Sequence, residues 1–402
     1  MKKNNKLWQK NWELNSLVEA FETKGDLLLD QKLIPYDLNG SIAHAKMLHK
    51  INILTKQELL FIEKGLEEIK KLYENGGFIL KFGDEDCHTK IEKYLTQRYG
   101  SVGKKIHTAR SRNDQVLTAL RLFTKDYLEK IEKEIISLSN LFEKFESLYG
   151  DVPMPGYTHM QKAMPSSIGL WAGGFKDALN DDIKVLKVIY DLNDQSPLGS
   201  GAGYGLPIKV DKIYSSKILG FGKVLNNPIY AQSSRTKIDA LTLAFLISVL
   251  QTINKFASDL MLFTTSEFNY FQINKKITTG SSIMPQKVNL DIAELLRSKV
   301  NVVLGNYTQI ISISSNLVTG YNRDFQDTKK PLMESLELTL ESIVISQILL
   351  QNIVPNENVL KNSMTQELYA TEKALNLVIK GESFREAYKK IGKEYERGGV
   401  KK

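Results

Sequence analysis

Residues 238–263 read IDALTLAFLISVLQTINKFASDLMLF, and their spacing decides the fold. Ile238, Leu241, Phe245, Val249, Ile253, Phe256, Leu260 and Phe263 step by three or four, drawing one apolar stripe along about seven helical turns. Outward from there the pattern recurs. Val116, Leu120, Phe123, Tyr127, Ile131 and Ile135 repeat it after Ser111, and Ile292, Leu295, Leu296, Val300, Val303 and Leu304 repeat it again. Alternating strands joined by hairpin dipeptides are nearly missing. An all-α protein with long helices is therefore predicted. Helices apolar along an unbroken stripe need partners of equal length, so a central long-helix bundle, completed by other copies of the chain, is expected.

Proline supports this. The chain has ten prolines in 402 residues, and none lies between Pro35 and Pro153, Pro228 and Pro285, or Pro285 and Pro331. Proline removes a helical donor and clashes with the preceding turn, so such gaps permit long helices. At roughly 100–200 residues per domain, the length implies two or three domains. The expected division is an N-terminal helical domain over 1–106, the central bundle over 107–351 and a short C-terminal helical domain over 352–402. Segments 151–157, 196–207 and 278–285, rich in Gly, Pro and Ser, punctuate the helices.

Composition excludes several classes of protein. A hydrophobic share of 42 % with 25 % charged residues rules out a largely disordered chain. The single cysteine, Cys87, rules out an internal disulfide framework and fits a reducing compartment. Its neighbours Asp84, Glu85 and Asp86 disfavour a reactive thiolate. The richest apolar run, 241–250, is shorter than the ~18–20 residues a spanning helix needs. No apolar segment follows the basic residues 1–6, so a cytoplasmic location without membrane contact is expected. The net charge of +8 comes from scattered lysines, with no zinc-ligand spacing or nucleic-acid motif, so no nucleic-acid partner is expected.

Four polar stretches could carry chemistry. In 107–115, HTARSRNDQ, Ser111 and Asp114 have the spacing of a capping box, and arginines beside helix-terminal N–H groups make an anion site. In 153–161, PMPGYTHMQ, two prolines and a glycine build a rigid turn presenting Thr158 and His159 just before a helix. Histidine titrates near neutral pH and is a candidate for proton transfer. In 278–289, TTGSSIMPQKVN, a polar loop runs into a helix that Asp291 is placed to cap. There the Lys287 ammonium, the Asn289 amide and helix N–H groups converge on any negative charge. The fourth, 321–330, YNRDFQDTKK, reads alone as a solvated turn.

The segment from Gly280 to Asn289 resembles the signature loop of the fumarase/aspartase superfamily. The segments 107–115, 156–161 and 196–201 resemble those of its argininosuccinate lyase family, and the likeness runs from Gly40-Ser41 to Phe384-Arg385-Glu386-Ala387. The resemblance implies a homotetramer whose active sites each draw segments from three subunits. It implies reversible cleavage of argininosuccinate to arginine and fumarate, with no metal or organic cofactor. By the same matching Ser281 is the base, needing a closed, electropositive loop to act as alkoxide. Lys287 and Asn289 stabilise the aci-carboxylate. His159 is the acid or relay group, oriented by Glu294, which lies two turns beyond Lys287; some accounts of the family reverse the roles of histidine and serine. Ser111, Arg112, Asn113 and Thr158 hold the succinyl carboxylates, while Tyr321, Gln326 and Lys329 contact the substrate, including its amino-acid end.

Departures from the family pattern are few. Leu290 stands where proline usually follows the asparagine, and Val288 replaces a commoner lysine, which bears on loop rigidity more than on chemistry. Asp26 stands where some relatives have a substrate-contacting serine and is left out of the site. The chain stops at Lys402, soon after Gly398-Gly399, so a shortened C-terminal domain is expected. Alternatives are another fumarate-releasing lyase of the superfamily, or a non-catalytic relative resembling its lens crystallins.

Overall fold

Helix follows the apolar stripes. The computed structural model describes residues 15–23 and 25–397. The basic start over 1–6 and the Gly398-Gly399 and Lys402 end fall outside them. The helices in chain order are α1 (Ser16–Thr23), α2 (Leu27–Lys50), α3 (Lys56–Glu74), α4 (Cys87–Tyr99), α5 (Ser101–Lys104), α6 (Arg112–Tyr149) and α7 (Ile168–Asn193). They continue with α8 (Lys212–Ile218), α9 (Pro228–Phe263), α10 (Asp291–Ser314), α11 (Lys329–Gln351), α12 (Glu357–Asn362), α13 (Ala370–Ile379) and α14 (Phe384–Arg397). The all-α expectation holds. The three stripes fall in α6, α9 and α10, and α7 and α11 are long helices as well. Pro35 lies inside α2, so the proline that marks the edge of a gap in the sequence does not end a helix there.

The chain divides into two compact units, and α6, α7, α9, α10 and α11 each contribute residues to both. The first unit takes Met1–Ile131, Lys184–Ile247 and Asn301–Leu340. Its N-terminal part has a hydrophobic core in which Ile34, Leu48, Ile62, Leu66, Ile91 and Leu95 are almost fully buried. Thr55 and Glu58 form a full capping box at the start of α3, and the Asp86 carboxylate accepts the Thr89 N–H at the start of α4.

The second unit takes Glu132–Ile183, Ser248–Val300 and Glu341–Lys402. Its core is aromatic. The rings of Phe142, Trp171, Phe175, Phe256 and Phe271 pack in edge-on, tilted and stacked pairs, with centroid separations of 5.1 Å for Trp171–Phe271, 5.2 Å for Phe142–Phe256 and 5.3 Å for stacked Phe142–Phe175. The Trp171 indole N–H donates to Asp259 at 2.9 Å, which satisfies the one polar atom of that ring. At the C-terminal end α13 and α14 bury Ala374, Ala387 and Ile391 in a small core of their own.

Short strands are present where the sequence shows none. Segment 153–161 is not a turn leading into a helix. It belongs to an antiparallel hairpin, β1 (Pro153–Thr158) with β2 (Gln161–Ser167), and α7 begins only after β2. His159 and Met160 form its two-residue tip with φ of 52° and 60°, as a primed turn requires. The remaining ladders are parallel β3 (Gln195–Ser196) with β4 (Lys223–Val224), and antiparallel β5 (Phe271–Ile273) with β8 (Ile353–Pro355) and β6 (Thr279–Gly280) with β7 (Val288–Asn289).

The stripes also depart from expectation at particular residues. Leu241, Leu295 and Leu304 are exposed although the spacing places them on buried faces. By length and composition α9 could cross a bilayer, which the run 241–250 alone does not show, but 56 % of its most apolar window is buried inside the chain. That is the pattern of a core helix. Cys87 is buried as well, and burial first, then Asp30, Asp37 and Asp86, push its thiol well up.

Candidate active site

The start of α6 is built by reciprocal capping. Ser111 Oγ accepts the Asn113 N–H at 3.2 Å, and the Ser111 N–H donates to Asp114 Oδ1 at 3.1 Å. The other Asp114 oxygen accepts the N–H groups of Gly199 (3.0 Å) and Gly201 (2.8 Å), tying the glycine loop to this helix. Burial raises the Asp114 carboxyl to about 6 against those donors. Arg112 lies over α4, its guanidinium 2.8 Å from Glu85 and 3.0 Å from Asp86.

Segment 321–330 is not a solvated turn. Residues Arg323–Thr328 form a 3-10 helix leading into α11. Gln326 donates to the Glu22 carbonyl at 2.8 Å. Lys329 is buried and paired with Asp26 at 2.9 Å and Asp30 at 2.6 Å. Burial alone would lower the Lys329 ammonium, but the two carboxylates outweigh it and hold it above its usual range. Burial pushes the Asp26 carboxyl up despite that lysine.

These segments surround one cavity of about 510 Å³ within the first unit. Ser111, Arg112, Asn113, Tyr321, Gln326 and Lys329 all line it. The structure therefore brings together six of the seven residues proposed as substrate contacts, from parts of the chain some 200 positions apart. Asp26, excluded on sequence grounds, also lines it, as do Asp30, His107 and Arg235. Burial and then Arg110 and Arg112 push the His107 imidazole down to about 4, so it is neutral at physiological pH.

The remaining candidates lie in the second unit. The loop over 280–289 is closed at its base by pairing of Thr279 with Asn289 and Gly280 with Val288. Asp291 is the first residue of α10, not its cap, and its carboxylate takes the Thr279 hydroxyl. Ser281 Oγ accepts N–H bonds from Ile283 (3.3 Å) and Met284 (3.1 Å). Two peptide donors on one hydroxyl oxygen favour its anionic form. Buried Leu290 anchors the loop end, while Ile283, Met284 and Lys287 are exposed. Ser281, Lys287 and Asn289 thus share one loop. Thr158 and His159 sit exposed at the end of the β1–β2 hairpin, and Glu294 is exposed on α10. Among the described residues no hydrogen bond or ion pair joins His159 to Glu294 or to Ser281.

Asp37, Cys87 and His88 offer metal-ligand atoms within 4.8 Å of one another. One Asp37 oxygen already meets both His88 Nδ1 and the Gln115 amide at 2.8 Å, and the thiol is held protonated by its surroundings. These contacts describe a buried ion pair better than a metal centre.

Comparison with known proteins gives a consistent picture. A family model described as lyase matches residues 14–305. The chain is 44 % identical to the argininosuccinate lyase of Thermotoga neapolitana over 392 residues, covering 98 % of each chain. It is 38 % identical to that of Phocaeicola vulgatus, covering 98 % of this chain and 88 % of the relative. Among solved structures, EDDS lyase in complex with formate superimposes with a TM-score of 0.81 at 21 % identity, covering 97 % of this chain and 78 % of that one. Class II fumarase from Schistosoma mansoni gives 0.76 at 17 %, covering 95 % and 90 %. At these identities the solved structures bear on the fold alone.

Proposed function

The chain belongs to the argininosuccinate lyase family, and from that premise we propose that it is a carbon–nitrogen lyase converting argininosuccinate reversibly into L-arginine and fumarate. The observation that carries this reading is the first-unit cavity, which collects Ser111, Arg112 and Asn113 at one helix start with Tyr321, Gln326 and Lys329 at another. That set of cationic, anionic and amide groups around one cavity suits a ligand that carries both carboxylates and an ammonium.

The chemistry is an elimination. A base takes a proton from the carbon next to a succinyl carboxylate, the electron pair becomes the fumarate double bond, and the bond to the guanidino nitrogen breaks. The intermediate carries two negative charges on one carboxylate carbon, so preorganised donors lower the barrier most. Ser281 acts as base, supported by the two N–H groups on its oxygen. Lys287, Asn289 and the first turn of α10 supply donors for the aci-carboxylate. His159 protonates the leaving nitrogen or relays the proton, held by Glu294 in the assembled enzyme. Ser111, Arg112, Asn113 and Thr158 hold the succinyl end, and Tyr321, Gln326 and Lys329 the amino-acid end.

The assembled enzyme in this reading is a homotetramer whose sites are shared between subunits. Its support is apolar surface on the long helices: Leu295, Val302 and Leu304 on α10 and Val344, Ile345 and Ile348 on α11 are exposed in the single chain. Domains over 1–106 and 352–402 flank the 107–351 bundle, consistent with the hydrophobic clusters that each flank holds. A cytoplasmic location accords with the buried free thiol.

Incubating the protein with argininosuccinate tests the assignment. Fumarate, followed by its ultraviolet absorbance, and arginine, followed by chromatography, should appear in equal amounts. A folded tetramer that yields neither product at high enzyme concentration overturns it.

A further inference from the structure

Among the described residues, the cavity lining contains one guanidinium that closes no salt bridge. Four long cationic side chains line it, and three are committed: Arg112 to Glu85 and Asp86, Arg323 to Glu22, and Lys329 to Asp26 and Asp30. Arg235, on α9, makes no ion pair or hydrogen bond among the described residues. It is 2 % exposed, and its Nε and Nη2 are buried without partners. A buried guanidinium with unused donors is unfavourable unless something completes it.

Its neighbours indicate what does. The guanidinium carbon lies 5.9 Å from the centre of the Phe325 ring, within the 3-10 helix that also carries Gln326. Asp26 and Asp30 both turn their oxygens to the Lys329 ammonium, so that corner is rich in acceptors and suits an ammonium better than a carboxylate. Asp239, the nearby buried acid, is raised to about 7 by burial against Arg235 and Arg121, so at neutral pH it neutralises Arg235 only in part. We infer that Arg235 binds the α-carboxylate of the amino-acid end of the substrate, with Asp26 and Asp30 facing its α-ammonium. A planar fork of N–H donors matches a carboxylate held side-on. This inference rests on the argininosuccinate reading.

The test compares arginine with agmatine, which lacks only the α-carboxylate. Calorimetry on the wild-type protein should show arginine binding roughly 10- to 100-fold more tightly. In Arg235→Gln that preference should collapse towards unity, with KM for argininosuccinate raised by a similar factor and kcat changed much less. Arg235→Gln combined with Asp239→Asn keeps the experiment decisive should the single change leave a buried carboxylate that unfolds the chain. Arg235→Lys should restore part of the preference, which a purely structural role would not do. Equal affinity for the two ligands in the wild type, or a preference that survives in a folded Arg235 variant, overturns the inference. Absence of fumarate from wild-type enzyme that still prefers arginine would instead overturn the catalytic reading while leaving the carboxylate site in place.

Discussion

At the level of single residues, Ser281 is the group whose role turns most directly on what surrounds it. Its hydroxyl oxygen receives two peptide N–H bonds inside a loop that is otherwise open to solvent. Replacing it with alanine should therefore leave folding and assembly unchanged while lowering kcat about 10²- to 10⁴-fold, as measured by initial rates and circular dichroism. Activity equal to wild type would remove the serine from the mechanism. Ser281, Lys287 and Asn289 were legible because they lie within one short segment whose donors point to one kind of charge. The partners of Lys329 were not, because Asp26 and Asp30 are some 300 positions away and meet it only in the fold. Arg235 carried no local signal either, standing in mid-helix between Ser234 and Thr236.

At the level of elements, the start of α6 and the glycine loop depend on one carboxylate. Asp114 accepts three backbone N–H bonds, and Gly199 and Gly201 reach it with φ of 91° and 64°, which glycine adopts without strain. Asp114→Asn would turn an NH₂ towards one of those donors and should destabilise the chain by about 1–3 kcal/mol in urea unfolding. The effect has a predictable pH dependence. The folded carboxyl titrates near 6, above its unfolded value, so its contribution is fully present at low pH and is lost as pH rises through 6. The gap between wild type and variant should therefore narrow from pH 4 to pH 7, and a constant gap would contradict the assignment. The same scale explains the missed hairpin. Pro153, Pro155 and Pro165 argue against strands by removing ladder donors, and His159-Met160 is not the Asn-Gly pair that marks a primed turn.

At the level of the whole molecule, long helices were legible because a period of three to four persists over many consecutive residues. The two compact units were not, since each gathers three separate stretches of chain. The apolar residues that break the pattern, Leu241 on α9 and Leu295 and Leu304 on α10, are exposed in the single chain, which is the surface the proposed tetramer would draw on. If sites are shared, mixing a Ser281→Ala chain with a His159→Ala chain should rebuild intact sites. Random reassembly at equal amounts should return up to about a quarter of wild-type activity. Zero recovery in verified mixed tetramers would place both residues in sites built from one subunit.

The sealed sulfur of Cys87 has a practical corollary. Alkylating dyes have little purchase on the native molecule, so a cysteine introduced at exposed Ile283 would be the preferred point of attachment. A fluorophore placed there would report the surroundings of that loop when substrate is added, without first deleting a natural reactive side chain.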